Sequence, residues 1–366
     1  MNEFEHSQGP IPQEPDAPEA PEPPAPFPED SILARLDELV EYAGADPTST
    51  NGRLVRDLLV TALKVIRDGR DTGELKLLVS SFKELRHAYR VFAPYAKERK
   101  ISIFGSARTP RDHPDYIAAV EFSRMMAALK WLVITGAGGG IMQAGHEGPG
   151  REASFGLAIH LPFETSANEV IKGDSKLINF RYFFTRKVMF MAHADAVAVF
   201  PGGFGTMDEA FEVLTLVQTG KATPKPVVFI EGHGGDYWRH WENSIRRLLL
   251  DRGLISPEDR NLFYIADDAA DAANHVKHFY RNYNSSRYVR DDLVIRLNHK
   301  IREEDVAHLN EEFQPMVKTG RIVQRGPHEI ETERLELPRL VFHHARAKYG
   351  LLRLMIDRIN SFEPVP

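Results

Sequence analysis

The feature that most constrains this chain is a junction, where Asp195-Ala196-Val197-Ala198-Val199-Phe200 runs directly into Pro201-Gly202-Gly203-Phe204-Gly205-Thr206-Met207-Asp208-Glu209. The apolar, partly β-branched stretch ending at Phe200 suits a strand buried on both faces of a parallel sheet. Ala210 to Gln218 continue at helical spacing, so the glycines stand between a strand end and a helix start, which the pattern places at Thr206. Gly202, Gly203 and Gly205 let backbone N–H groups approach a ligand with no Cβ in the way. The first turn of a helix adds unpaired donors and a positive dipole end, which attract an anion. Thr206 to Glu209 also fits a capping box, with Glu209 reaching back to the backbone of Thr206. Spacing alone leaves both readings open.

At 366 residues the chain is long enough for a full α/β core plus smaller parts. The net charge of −6 shows no basic surplus of the kind a nucleic-acid groove needs, so no nucleic-acid partner is expected. With no cysteine, disulfides, thiolate metal sites and cysteine nucleophiles are excluded. No apolar run approaches the roughly 20 residues that span a bilayer, and no basic-then-apolar leader opens the chain. A cytoplasmic protein without membrane attachment is the expectation.

Read in order, residues 1–30 are rich in proline and acidic residues and contain no Lys or Arg, the composition of a disordered tail. Residues 31–98 form a helical region. Its first stripe runs through Ile32, Leu36, Leu39 and Val40 to a stop at Gly44, a second helix covers 54–66, and a third covers 74–92. From 99 to 284 the rhythm becomes strand, glycine-bearing turn, helix, repeated. Strands are expected at 101–104, 131–135, 155–161, 195–200, 227–230 and 263–265, with helices at 116–129, from 141, and at 185–193, 206–218, 238–251 and 268–280. Such alternation implies an α/β fold, a Rossmann-like doubly wound parallel sheet. Residues 285–366 read as a small α+β appendage, with strands at 293–297 and 321–323, a helix at 303–317 and a long closing helix at 340–359.

Three glycine turns follow three strands: Gly105-Ser106, Gly136 to Gly140 (including Gly138 and Gly139), and Gly202 to Thr206. In a parallel sheet all three emerge on one edge and can wall a single pocket. A dinucleotide site fits poorly. Gly105-Ser106-Ala107-Arg108 is not G-x-G-x-x-G, Ile141 occupies the place of the third small residue, and no acidic residue ends the strand at Trp131. A mononucleotide fits better. Ahead of the central strand, Arg186-Lys187 stand in an aromatic and methionine-rich run, Phe180 to Met189. A guanidinium there can hold a phosphate or developing negative charge, whereas the plain alternative is a solvated basic pair. His146 and His343-His344 lack metal-ligand spacing and read as packing or surface residues.

The string Pro201 to Glu209 resembles the PGGxGTxxE signature of the Lonely Guy (LOG) family, phosphoribohydrolases often labelled lysine decarboxylases. The Arg186-Lys187 pair stands where that family carries its own Arg-Lys pair. The resemblance covers roughly 101–280; Phe184-Thr185 departs from the H-x of smaller members, and Gly136 to Met142 with Leu161-Pro162-Phe163-Glu164 resemble the longer bacterial branch. It implies Arg186 and Glu209 as catalytic residues. It also implies substrate contacts from Gly202, Gly203, Gly205, Thr206 and Thr215, with Glu164 as a further candidate at the sugar; Gly105, Ser106, Gly138 and Gly139 on the converging turns, with Lys187 and Phe204, complete the expected substrate-binding set.

The implied substrate is a nucleoside 5′-monophosphate, AMP-like or a cytokinin nucleotide, and the implied assembly is a homodimer. Cleavage of an N-glycosidic bond passes through an oxocarbenium-like sugar, which a nearby carboxylate stabilises while water is activated. No metal or organic cofactor is required. A nucleotide-binding sensor or carrier of the same fold, without turnover, is the competing expectation. The spatial expectation is that Arg186 and Glu209 flank one sugar whose 5′ anion rests on the glycine-loop amides.

Overall fold

The computed structural model describes residues 29–159, 167–363 and 365. The expected tail and Glu164 thus fall outside the described residues, the tail but for its last two positions. The chain divides into two compact units between Ser80 and Ser81.

In the first unit, α1 (Glu29–Tyr42) ends before Gly44, whose φ of +87° takes the left-handed turn that stops a helix. α2 (Thr50–Arg67) is capped by Ser49, whose side chain accepts the N–H of Gly52 at 3.0 Å. Arg56 of α2 donates to Asp37 of α1 at 3.0 Å. The third helix, α3 (Thr72–Phe92), crosses the division. Its last turns belong to the second unit, where Phe92 stacks on Phe155 with ring centroids 4.5 Å apart.

The second unit opens with β1 (Lys100–Phe104), α4 (Pro114–Ala128), β2 (Leu132–Thr135), α5 (Ile141–Glu147), β3 (Ser154–Ile159) and β4 (Leu177–Phe180). It continues with α6 (Phe183–His193), β5 (Ala196–Val199), α7 (Phe204–Gln218), β6 (Val227–Phe229), α8 (Tyr237–Ile245), β7 (Tyr264–Ile265) and α9 (Ala269–Phe279). The seven strands form one sheet in the order β4-β3-β2-β1-β5-β6-β7, with every pairing parallel. Period-2 alternation sorts each strand between two cores. Ile101, Ile103, Ala196 and Ala198 pack under α4, α5 and α9, while Phe104, Val197 and Val199 pack under α6, α7 and α8. This is the Rossmann-like, doubly wound sheet the sequence predicts. The reading did not foresee β4, because four residues interrupted by Asn179 carry no strand signal of their own.

The appendage begins with β8 (Tyr283–Val289) and β9 (Asp292–Leu297), followed by α10 (Glu303–Glu312), β10 (Val317–Arg325), β11 (Arg339–His344) and α11 (Tyr349–Ser361). Its antiparallel sheet runs β10-β11-β9-β8. Two expectations are corrected here. The helix expected over 303–317 ends at Glu312, and Gln314–Met316 forms a 3-10 turn, because Pro315 has no N–H with which to continue an α-helix. The long helix expected over 340–359 is β11 followed by α11. Leu340, Val341 and Phe342 pair with β9 on one side and, at Leu340 and Val341, with β10 on the other, and a run that short has no decisive period of its own.

Candidate active site

Strand order reverses between β1 and β5, the place where the crossover helices leave a crevice at the carboxyl edge of such a sheet. A cleft of about 830 Å3 opens there. Gly105 and Ser106 follow β1, Gly136 follows β2 and Gly202 to Thr206 follow β5, and all of them line it. The loops are laced together, since Ser106 N–H donates to the carbonyl of Pro201 at 3.1 Å and Ile141 N–H donates to that of Ser106 at 3.0 Å.

α7 starts two residues earlier than the pattern predicts, with Gly203 as N-cap and Phe204 as the first helical residue. Met207 N–H makes the bond to the Gly203 carbonyl at 3.1 Å, so by helix geometry the N–H groups before it lack intrahelical acceptors. A Cβ on Gly202 would sit 2.1 Å from Thr206 Oγ1, whereas Gly203 and Gly205 have no described residue within 4 Å of where a Cβ would lie. Packing thus demands glycine at 202, while 203 and 205 leave open space for an approaching group. Phe204 is 98% exposed at the rim.

Glu209 stands in the second turn of α7 and is 5% exposed. It does not cap the helix, so the capping-box reading is not realised. Its Oε1 lies 3.9 Å from Arg186 Nη2 and its Oε2 lies 3.7 Å from Lys187 Nζ; Oε2 is buried with no hydrogen-bond partner among the described residues. Burial pushes its pKa up to about 7, against the downward pull of Lys187 and Arg186.

Arg186, at the end of the first turn of α6, also lines the cleft, with its guanidinium 5.1 Å from the Phe183 ring centroid and 5.8 Å from that of Phe190. The Arg-Lys pair is therefore not a solvated face: the two side chains are 14% and 15% exposed. Lys187 is directed behind the carboxylate rather than into the cleft, donating to Glu212 at 2.7 Å and lying 2.9 Å from Asp208. Burial disfavours its charge, but these acidic partners outweigh that and raise its pKa.

Gly138, Gly139 and Thr215 are not among the residues lining the cleft. A Cβ on Gly138 would lie 2.6 Å from Met142 Cε, and Thr215 is exposed farther along α7. The second glycine loop is held from below by a buried network. Asn168 donates to the Gly138 carbonyl at 3.0 Å and meets His146 Nδ1, while His146 Nε2 lies 3.0 Å from both Thr135 Oγ1 and the Phe155 carbonyl oxygen. Burial lowers the pKa of His146, which makes it a packing residue as expected.

Sequence reasoning missed Tyr237. Its hydroxyl donates to the Gly202 carbonyl at 2.7 Å while its own N–H is held by Glu231 at 2.8 Å. The only signal for it was its place after the turn that follows β6, on the same sheet edge. Phe104, Met142, Ile159, Phe183 and Phe190 complete an apolar wall.

Fold and site together define a Rossmann-like α/β protein whose glycine loop, helix N-terminus and buried Arg–Glu pair share one cleft. The chain belongs to the LOG family. A family model described as "Possible lysine decarboxylase" matches residues 139–276. The cytokinin riboside 5′-monophosphate phosphoribohydrolase of Mycobacterium tuberculosis is 30% identical over 157 residues, 42% of this chain and 81% of that protein. The probable cytokinin riboside 5′-monophosphate phosphoribohydrolase LOG4 of Oryza sativa subsp. japonica is 28% identical over 181 residues, 47% of this chain and 74% of that one. Among solved structures, the molybdenum cofactor carrier protein of Chlamydomonas reinhardtii aligns at 22% identity over 50% of this chain and 97% of its own, with a TM-score of 0.36.

Proposed function

We propose that the chain is a phosphoribohydrolase that hydrolyses the N-glycosidic bond of a nucleoside 5′-monophosphate, releasing the free base and ribose 5-phosphate. The observation that carries this reading is the buried Arg186–Glu209 pair, 3.9 Å apart in the cleft that the phosphate-type loop walls. The 5′-phosphate rests on the open first turn of α7 at Gly203, Phe204, Gly205 and Thr206. With the phosphate fixed there, the ribose lies over Glu209, one turn farther along the helix. A carboxyl with a pKa near 7 is matched to general-base work at neutral pH. Ionised, it draws a proton from the attacking water and faces the positive charge that grows on the sugar. Arg186 stabilises the departing base or fixes the nucleotide, and Lys187 orients the carboxylate from behind. A volume of about 830 Å3 suits a nucleotide-sized guest. The apolar wall favours a purine or a cytokinin-type base.

The reading includes a homodimer, supported by the half-exposed Phe183, Phe184 and Val188 on α6 and Phe211 on α7. Sedimentation velocity tests it, and a monomer at micromolar concentration overturns it.

The activity is tested by incubating the protein with a panel of nucleoside monophosphates, including AMP and a cytokinin riboside monophosphate, and quantifying released base and ribose 5-phosphate. Glu209→Gln and Arg186→Ala are each expected to lose about 100-fold or more in kcat. Unchanged rates in both folded variants reject the assignment. Nucleotide binding by the native protein without base release from any member of the panel puts a carrier in its place.

A further inference from the structure

A second cavity, of about 600 Å3, lies at the opposite edge of the sheet, where Lys100 opens β1 and Asp195 precedes β5. Among the described residues its lining carries four cations, Lys97, Arg99, Lys100 and Arg334, against two carboxylates, Glu98 and Asp195. Asp195 is already engaged: it accepts the backbone N–H of Lys100 at 2.9 Å and lies 3.9 Å from Arg99. The cavity is therefore net positive, and low-dielectric walls concentrate that field. Lys100 uses two of its three ammonium donors on the carbonyls of Tyr95 and Glu98.

Arg334 reaches the cavity from the segment between β10 and β11 of the appendage. It is held at φ +53°, a left-handed conformation uncommon for a residue with a side chain, and its Nη1 donates to Asn284 Oδ1. Strain of this kind persists where the surroundings fix a side chain in place. Part of the remaining wall is aromatic, from Tyr89, Phe92 and His193. The His193 ring stacks on Phe92 with centroids 3.9 Å apart, and its Nε2 is buried with no hydrogen-bond partner among the described residues. Burial, with help from Lys100, keeps that imidazole neutral by lowering its pKa to about 4. None of these groups serves the cleft described above.

We propose that this cavity is a binding site for a small polyanion of the phosphate class, held between Lys97 and Lys100 on one side and the appendage's Arg334 on the other, over His193. Guanidinium and ammonium groups around a pocket open to solvent are the donor set that such an anion requires. The site joins the sheet to the appendage, and α6 ends in it: Arg186 stands near one end of that helix and His193 is its last residue. A bound anion is thus placed to bias the helix that carries the guanidinium of the cleft.

The test uses the full chain labelled with 15N-histidine and pyrophosphate as the probe, following the imidazole signals of His193, which His193→Gln assigns. A saturable shift is expected in the native protein and in Gly203→Val, which crowds the glycine loop of the cleft. The affinity should fall with added salt and drop about tenfold or more in Lys97→Ala/Arg334→Gln, the loss of two charged hydrogen bonds. Unaltered signals from buried His146 report that each variant is folded. Should the double variant not fold, Lys97→Ala alone, at an exposed position, must still weaken binding. The proposal is overturned by the absence of a saturable shift, by a shift indifferent to the Lys97 and Arg334 changes, or by one lost in Gly203→Val. The readout involves no turnover, so it stands apart from the hydrolase assignment.

Discussion

The role proposed for Glu209 in chemistry opposes its contribution to stability. An unfolded glutamate ionises near 4.5, whereas in the cleft burial raises that value to about 7, net of the attraction of Lys187 and Arg186. Between these two pH values the folded protein holds a proton that the unfolded chain has released, so stability falls as pH rises from 4.5 to 7 and levels off above. Glu209→Gln keeps the shape of the protonated carboxyl and removes the titration. Across the gap from 4.5 to about 7, at about 1.4 kcal/mol per pH unit, the variant should be more stable than the native protein by about 3 kcal/mol at pH 8. The difference should shrink to about 1 kcal/mol at pH 5. The assay is equilibrium urea unfolding over that pH range by tryptophan fluorescence. Trp131, Trp238 and Trp241 all lie in the α/β unit, so the signal reports the unit that holds the site. With an m-value of about 3 kcal/mol/M the midpoint should move by about 1 M at pH 8. A variant that is no more stable than the native protein at pH 8, or a difference that does not change with pH, would refute the claim that a buried carboxylate is held there at a cost.

In the proposed reaction Glu209, as the base, must be ionised, so kcat/KM should rise with pH through about 7 and plateau above, and a flat profile from pH 5 to 8 excludes it from that role. Tyr237→Phe removes the bond that fixes the Gly202 peptide and should raise KM for a nucleotide about 2- to 10-fold with little change in kcat; steady-state kinetics measure this, and an unchanged KM denies Tyr237 its positioning role. Gly220→Ala should destabilise the α/β unit by about 1–3 kcal/mol or more in urea unfolding, because φ there is +69° and the new Cβ would lie 2.0 Å from the Tyr349 ring.

The chain's own order of residues was enough to settle the repeated strand, glycine turn and helix, and the single sheet edge on which the turns emerge. Those are matters of local period and turn geometry, which a few neighbouring residues decide. Where a segment's state depends on a distant partner, the pattern failed. Leu340 to Phe342 became a strand because β9 and β10 lie on either side of it, and β4 was called into being by β3. The site divides the same way. Arg186 and Glu209 were legible as residues, but only the packing of α6 against α7 brings them to 3.9 Å, sends Lys187 behind the carboxylate, places Tyr237 under Gly202 and excludes enough water to raise the pKa of Glu209 toward neutrality. Desolvation and long-range contact are properties of which surfaces meet, and no run of adjacent residues encodes them alone.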